Sequence, residues 1–222
     1  MSSFALVTEG VTDQIALEAI LCGHFDSNDL EVNSLQPLRD ATDESRQAGY
    51  GGWELVLEYC TQYEYLVEAL SFNDYLIVQI DTDVAEQKNF NVPLTEGGKQ
   101  KPVDQLVSEV HGVIKRKLGN KFLEQFGERI FFAVSVHSLE CWLLPLHVND
   151  KKKQTKLLNC ETVLAKALAS ADVAYEKEAD CYRKLSKGYE KKKNIELGAQ
   201  QNRSFEIFLA SLPVLAELQE VG

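Results

Sequence analysis

The sequence predicts an α/β protein, with a mostly parallel sheet between helices and a helical C-terminal part. Three stretches predict it. Leu76-Ile77-Val78-Gln79-Ile80 is an apolar, β-branched run that ends abruptly in Asp81-Thr82-Asp83, as a buried parallel strand does when it delivers polar residues to the rim of a sheet. Phe4-Ala5-Leu6-Val7-Thr8 is a shorter run, followed by Glu9-Gly10 and a helical pattern from about Val11. Ile130 to Val136 is a third buried strand, passing through His137 and Ser138 into a helix with Glu140 near its start. Ligands of open α/β folds sit outside the carboxyl ends of the strands, so all three runs bring acids to the place where a ligand belongs.

The remaining elements follow in order. Ile15, Ala16, Leu17, Ala19, Ile20 and Leu21 give a broad apolar surface, as expected of a helix packed on a sheet. Val32 to Leu38 reads as an edge strand limited by Pro37. Asp40 to Gly52 is polar and glycine-rich, a mobile connection and candidate lid. The spacing of Trp53, Val56, Leu57, Cys60, Glu64, Val67 and Leu70, with Glu64 the one polar exception, predicts one long helix before the Asp81 strand. Val84 to Lys101 reads as a loop beside the acidic rim. Pro102 suits the first turn of a helix that Gly119 ends. The expected division is a catalytic domain over residues 1–146 and a helical region over 147–222 packed on it.

Two acids one residue apart at a strand end, Asp81 and Asp83, suit a hard divalent cation such as magnesium or manganese, which prefers oxygen ligands. Glu9 ends a comparable strand, and Asp13 falls in the first helical turn, where a carboxylate also suits the helix dipole. The competing explanation for Asp81, Asp83 and Glu140 is ordinary turn and helix-start chemistry. Ser138 reads as an N-cap. His137 and Cys141, four apart, are the one histidine pairing with ligand spacing, and a core or rim contact explains them more simply than zinc.

Hydrophobic residues make up 45% and charged residues 26% of the 222-residue chain, as in an ordinary globular protein long enough to bury a sizeable core. The formal charge of −11 means that the molecule as a whole repels nucleic acid. A polyanion must be met by metal ions, a local basic patch such as Arg183 to Lys193, or another subunit. Met1-Ser2-Ser3 leads into the first strand without the regions of a signal peptide, and no apolar run approaches spanning length. A cytoplasmic location with no membrane association is therefore the expectation. The five cysteines are odd in number and scattered, and they read as reduced core residues.

Taken together, Glu9-Gly10-x-x-Asp13, Asp81-Thr82-Asp83 and His137-Ser138-Leu139-Glu140-Cys141-Trp142-Leu143-Leu144, each after a strand, resemble a Toprim domain. Within that superfamily the Ser-x-Glu-x-Trp-Leu-Leu run and the later Tyr189-Glu190-Lys191 are similar to the small RloB-type proteins and to the OLD-family nuclease domain. The resemblance implies a Rossmann-like sheet and a magnesium- or manganese-dependent nuclease acting on nucleic acid, paired with an ATPase in bacterial defence against phage. It implies Glu9, Asp81, Asp83 and Glu140 as metal ligands, with Asp13 either a further ligand or a carboxylate that orients water. It also implies a late catalytic lysine, for which Lys184, Lys187, Lys191, Lys192 and Lys193 compete and Lys191 stands in the matching run. The large added domains of primases and topoisomerases are missing, which argues against those activities.

Two rivals use an Asp-x-Asp after an apolar strand. A haloacid-dehalogenase-type phosphatase wants Thr or Val where Ala85 stands, and a nucleotide-sugar transferase leaves Glu9 unexplained. From another class, a non-catalytic binding or regulatory subunit on the same scaffold is consistent with the small size and negative charge. Self-association into a homo-oligomer stays open.

Overall fold

The chain alternates strands and helices as the apolar runs predict. In the computed structural model, which describes residues 2–38 and 52–215, β1 (Ser3–Val7) leads into α1 (Val11–Phe25), and β2 (Glu31–Gln36) follows. Next come α2 (Trp53–Tyr59), α3 (Tyr63–Phe72) and β3 (Tyr75–Asp81). A small antiparallel hairpin, β4 (Thr95–Glu96) with β5 (Lys99–Gln100), interrupts the stretch expected to be loop. Then α4 (Val103–Leu118), α5 (Asn120–Phe126) and β6 (Ile130–Ser135) complete the α/β part. The remainder is helical: α6 (Glu140–His147), α7 (Lys151–Gln154), α8 (Cys160–Ala169), α9 (Ala179–Ser186), α10 (Lys192–Gln201) and α11 (Arg203–Ser211).

The main sheet has four strands, all parallel, in the order β2-β1-β3-β6, consistent with a Rossmann-like fold. Both of its faces are covered, which is why β1 and β3 are apolar almost throughout. Phe4, Leu6, Ile77 and Ala133 face one core with α1 and α6, whereas Ala5, Val7, Leu76, Val78, Ile80 and Val134 face the other with α2, α3 and α4. The chain runs from β1 outward to β2, then returns to place β3 on the opposite side of β1. That reversal opens a crevice at the carboxyl ends of β1 and β3.

The helices after residue 147 do not form a core of their own. Leu164, Tyr182, Tyr189, Ile195, Phe205 and Phe208 belong to the same core as α1, α6 and one sheet face, so the boundary expected at 147 falls inside a single packed layer. This explains why α1 is apolar nearly all round: the sheet lies on one side and α9 and α10 on the other. The approach is close. A Cβ at Gly23 would overlap the backbone of Tyr189, and one at Gly198 would collide with the Tyr189 ring. Trp142 anchors the layer, stacking on Phe205 and Phe208 and donating from Nε1 to Ser204 Oγ at 2.8 Å.

Three expectations need correction. The single helix over Trp53–Leu70 is two helices, turned at Cys60–Gln62 by the bonds of Thr61 N to Glu58 O and Gln62 N to Tyr59 O; its spacing looked continuous because both halves bury against the same sheet face. Cys141 and Cys160 form a disulfide between α6 and α8, leaving Cys22, Cys60 and Cys181 as free thiols. Position 139, not 138, caps α6, and Ser138 contributes its carbonyl to the Cys141 N–H. The expected lid at 40–52 lies outside the described residues except for Gly52. Among the described residues no helix is long and apolar enough to cross a membrane.

Candidate functional site

Glu9, Asp81 and Glu140 come together because the three strand ends they follow or terminate are adjacent or next but one in the sheet. Glu9 accepts the Asp81 N–H on Oε1 at 2.6 Å, and its own N–H donates to Gln79 Oε1 at 3.1 Å. Gln79 Nε2 then donates to Asp81 Oδ1 at 2.9 Å, while the Leu139 N–H reaches Asp81 Oδ2 at 3.3 Å. Gln79 is fully buried and lies two residues before Asp81, hence on the same sheet face. It fixes both acids at once.

Asp13 stands in the first turn of α1, and its carboxylate sits against Gly10, where an added Cβ would be 3.0 Å from Oδ2. Asp83 is exposed, and its N–H donates to the His137 carbonyl at 3.0 Å. His137 holds a positive φ of 66° with its N–H on Thr82 Oγ1 at 2.7 Å, an uncommon backbone state that here joins the loops after β3 and β6. Glu140, the first residue of α6 and buried, accepts a short hydrogen bond from the Tyr182 hydroxyl and lies 3.5 Å from Lys177 Nζ. Tyr182 in turn bonds Tyr175 at 3.0 Å.

The electrostatics follow from crowding. Burial, with the charges of Asp13 and Asp83 added, raises Glu9 from 4.5 to about 8 against the pull of the Asp81 N–H bond. Burial and then the Glu140 charge raise Asp13 from 3.8 to about 7. Asp81 is held well above the carboxylate range by burial first and then by Glu9, Asp13, Glu140 and Asp83. Glu140 departs from this pattern. Its burial acts upward, but the Lys177 charge and the hydrogen bonds of Ser138 and Tyr182 outweigh it, so its carboxyl lies below the ordinary value. Lys177 feels Glu140, Glu161, Asp13 and Asp81 together; these raise its pKa despite partial burial.

A pH effect follows. In the unfolded chain Glu9 and Asp13 titrate near 4.5 and 3.8, and in the fold near 8 and 7. Below about 4 both states hold these protons; between about 4 and 8 the unfolded chain has released them and the fold has not, so stability falls as pH rises through that window. Thermal melts in chelator are expected to show Tm declining by several degrees from pH 5 to 8. A flat or rising profile would count against the crowding.

Lys191 is not part of this group. The turn containing Tyr189 packs on α1 at Gly23, ten residues and about 15 Å along the helix from Asp13. The lysine that reaches the acids is Lys177. Sequence reading missed it because it stands alone between Glu176 and Glu178. It also missed Gln79, Tyr175 and Tyr182. The amide inside an otherwise apolar strand was the one available signal for Gln79. The His137–Cys141 pairing loses its thiolate to the disulfide with Cys160.

The donor chemistry fits a hard divalent cation: five carboxylates, and beside them Ser135, paired with Asp81 across the ladder, whose buried Oγ has no hydrogen-bond partner among the described residues. The oxygens are not drawn tightly together. Among the described residues no group of three or more His, Cys, Asp or Glu side chains is gathered as metal ligands would be, and Glu9, Asp81 and Glu140 each accept hydrogen bonds from the chain's own donors. Compared with known proteins, the chain matches no family model, no curated protein and no solved structure.

Proposed function

We propose that this chain is a magnesium- or manganese-dependent nuclease of the Toprim kind, hydrolysing phosphodiesters as one component of a bacterial anti-phage complex with an ATPase. The observation that carries the reading is the meeting of Glu9, Asp13, Asp81, Asp83 and Glu140 at the sheet crevice, where three of these acids are raised by burial and mutual repulsion. Acids in that state are stabilised by a divalent charge. Glu9, Asp81, Asp83 and Glu140 would hold the cation, with Asp13 beside them. When bound, magnesium or manganese polarises the phosphate, activates a water and offsets charge on the leaving oxygen.

The chain's own residues have distinct tasks. Gln79 keeps Asp81 and Glu9 in register, and Tyr182 keeps Glu140 oriented and ionised. Lys177, more than half exposed, is placed to meet an incoming phosphate. Residues 2–38 and 52–87, which carry Glu9, Asp13, Asp81 and Asp83, contain no lysine or arginine, so on their side of the crevice the grip on a polyanion would come from another subunit. An ATPase partner would supply it.

The deciding experiment incubates the chain with plasmid, linear duplex and single-stranded RNA in Mg2+ or Mn2+, with chelator controls, alone and with its partner. Cleavage that needs the metal is expected. No cleavage under any of these conditions, with partner binding intact, removes the nuclease reading. The second reading, a non-catalytic subunit, is favoured by the carboxylate oxygens already engaged within the chain. Equal, weak Mn2+ affinity of the wild type and Asp81→Ala by calorimetry would support it.

A further inference from the structure

Thr8, Thr82, Ser186 and Ser204 are buried and spend their hydroxyls within the fold. Thr8 Oγ1 donates to the Gly10 carbonyl at 2.9 Å, and Ser186 Oγ donates to the Tyr182 carbonyl at 2.6 Å. Thr82 Oγ1 accepts the His137 N–H, and Ser204 Oγ accepts from Trp142 Nε1. Ser135, the last residue of β6, is different: it is fully buried, and among the described residues its hydroxyl has no hydrogen-bond partner. A buried hydroxyl left in that state opposes folding. Packing does not call for it either, since Ala133, two residues earlier on the same strand face, fills its place without one.

Alternation along β6 sets the direction of the side chain. Phe132, Val134 and Val136 belong to the core with α2, α3 and α4, whereas Phe131 and Ala133 belong to the core with α1 and α6. Ser135 continues the second series. Along β3, Ile77 shares that face, and Gln79 and Asp81 follow it. Ser135 and Asp81 are register partners at the carboxyl ends of adjacent parallel strands, so their side chains stand side by side at about the strand spacing of 4.8 Å. Asp81 already receives Gln79 Nε2 and the Leu139 N–H. Ser138, the serine of the resemblance run, is also engaged, because its side chain bonds Glu140. The unspent hydroxyl therefore stands at the sheet end where the acids gather.

We propose that Ser135 is an additional binding residue of the cation site, its hydroxyl oxygen reserved for the hydrated magnesium or manganese ion that Glu9, Asp81, Asp83 and Glu140 would hold. The inference rests on the metal site of the proposed nuclease and gives that site a neutral oxygen. Neutrality suits the place. Glu9, Asp13 and Asp81 already hinder one another's ionisation, so a further carboxylate would add repulsion, whereas a hydroxyl offers a hard oxygen without charge.

Calorimetric titration of the full chain with MnCl2, together with thermal melts in chelator, tests it. Ser135→Ala is expected to weaken Mn2+ binding by about tenfold or more, the usual loss when a group supporting metal ligands is removed. Its Tm in chelator should be unchanged or higher, because an unpartnered buried hydroxyl has been removed. Ser71→Ala, an exposed hydroxyl in the last turn of α3 before the amino end of β3, should leave Mn2+ binding unchanged. If Ser135→Ala does not fold by circular dichroism, Ser135→Cys decides with the same expected loss, since it keeps the volume and replaces a hard oxygen with a soft sulfur. Mn2+ affinity in Ser135→Ala equal to that of the wild type overturns the inference and leaves the metal reading standing. So does weakening as large in Ser71→Ala, or a Tm several degrees lower for Ser135→Ala in chelator, since the hydroxyl is then bonded within the fold. A wild type that binds no Mn2+ removes the metal site itself and this inference with it.

Discussion

Asp81→Asn is expected to lower metal-dependent cleavage by about 10³-fold, the order of loss seen when one group of a preorganised electrostatic site is removed. The same substitution should stabilise the protein in chelator. Asp81 is surrounded by Glu9, Asp13, Glu140 and Asp83 and is held well above the carboxylate range. Asparagine keeps its shape and an acceptor for Gln79 Nε2 or the Leu139 N–H, but carries no charge. The gain should grow as pH rises above the ordinary carboxylate range, because the unfolded chain has then released a proton that burial and the neighbouring acids make the fold retain. Opposite signs for activity and stability separate a functional acid from a structural one. A variant that cleaves normally, or melts several degrees lower in chelator at pH 9, would overturn the assignment.

Trp142→Ala is expected to give the largest loss of stability, about 3–5 kcal/mol. For a chain of this size that corresponds to roughly 6–20 °C in Tm. Trp142 is fully buried. Its ring stacks on Phe205 at 5.0 Å and Phe208 at 5.7 Å, its Nε1 bonds Ser204, and its carbonyl accepts the Tyr189 hydroxyl. Alanine leaves a cavity against two aromatic neighbours and removes a buried donor from Ser204. Urea unfolding measures the total, and hydrogen exchange should show α10 and α11 losing protection before β1 and β3. A loss under about 1 kcal/mol would mean that the layer closes around the gap.

The strand ends were legible in the sequence because apolar runs in a doubly covered sheet are interrupted only where the backbone leaves it. Glu9, Asp81 and Glu140 stand at those interruptions, and the acids could be named from local pattern alone. Lys177 and Tyr182 could not. They reach Glu140 from the connection before α9 and from α9 itself, across about forty residues of chain, and no local spacing encodes that fold-back. The Cys141–Cys160 bond was hidden for the same reason, since α6 and α8 meet only after the chain has turned through α7. Lys191 shows the opposite failure, a residue chosen from neighbouring letters although the turn before it packs far along α1 from the acids. The break between α2 and α3 was invisible because burial on one sheet face preserves helical periodicity on both sides of a turn.

Tyr189 lies between Gly23 and Gly198 with no room for a methyl group on either side. Position 23 faces the main-chain carbonyl of residue 189, which no substitution at 189 removes, so it should stay glycine; a side chain at 198 meets the rings of Tyr189 and Phe205, so smaller residues at 189 and 205 are the permissive changes that must precede it. Related chains are then expected to keep glycine at 23 and to have drifted at 189, 198 and 205 together.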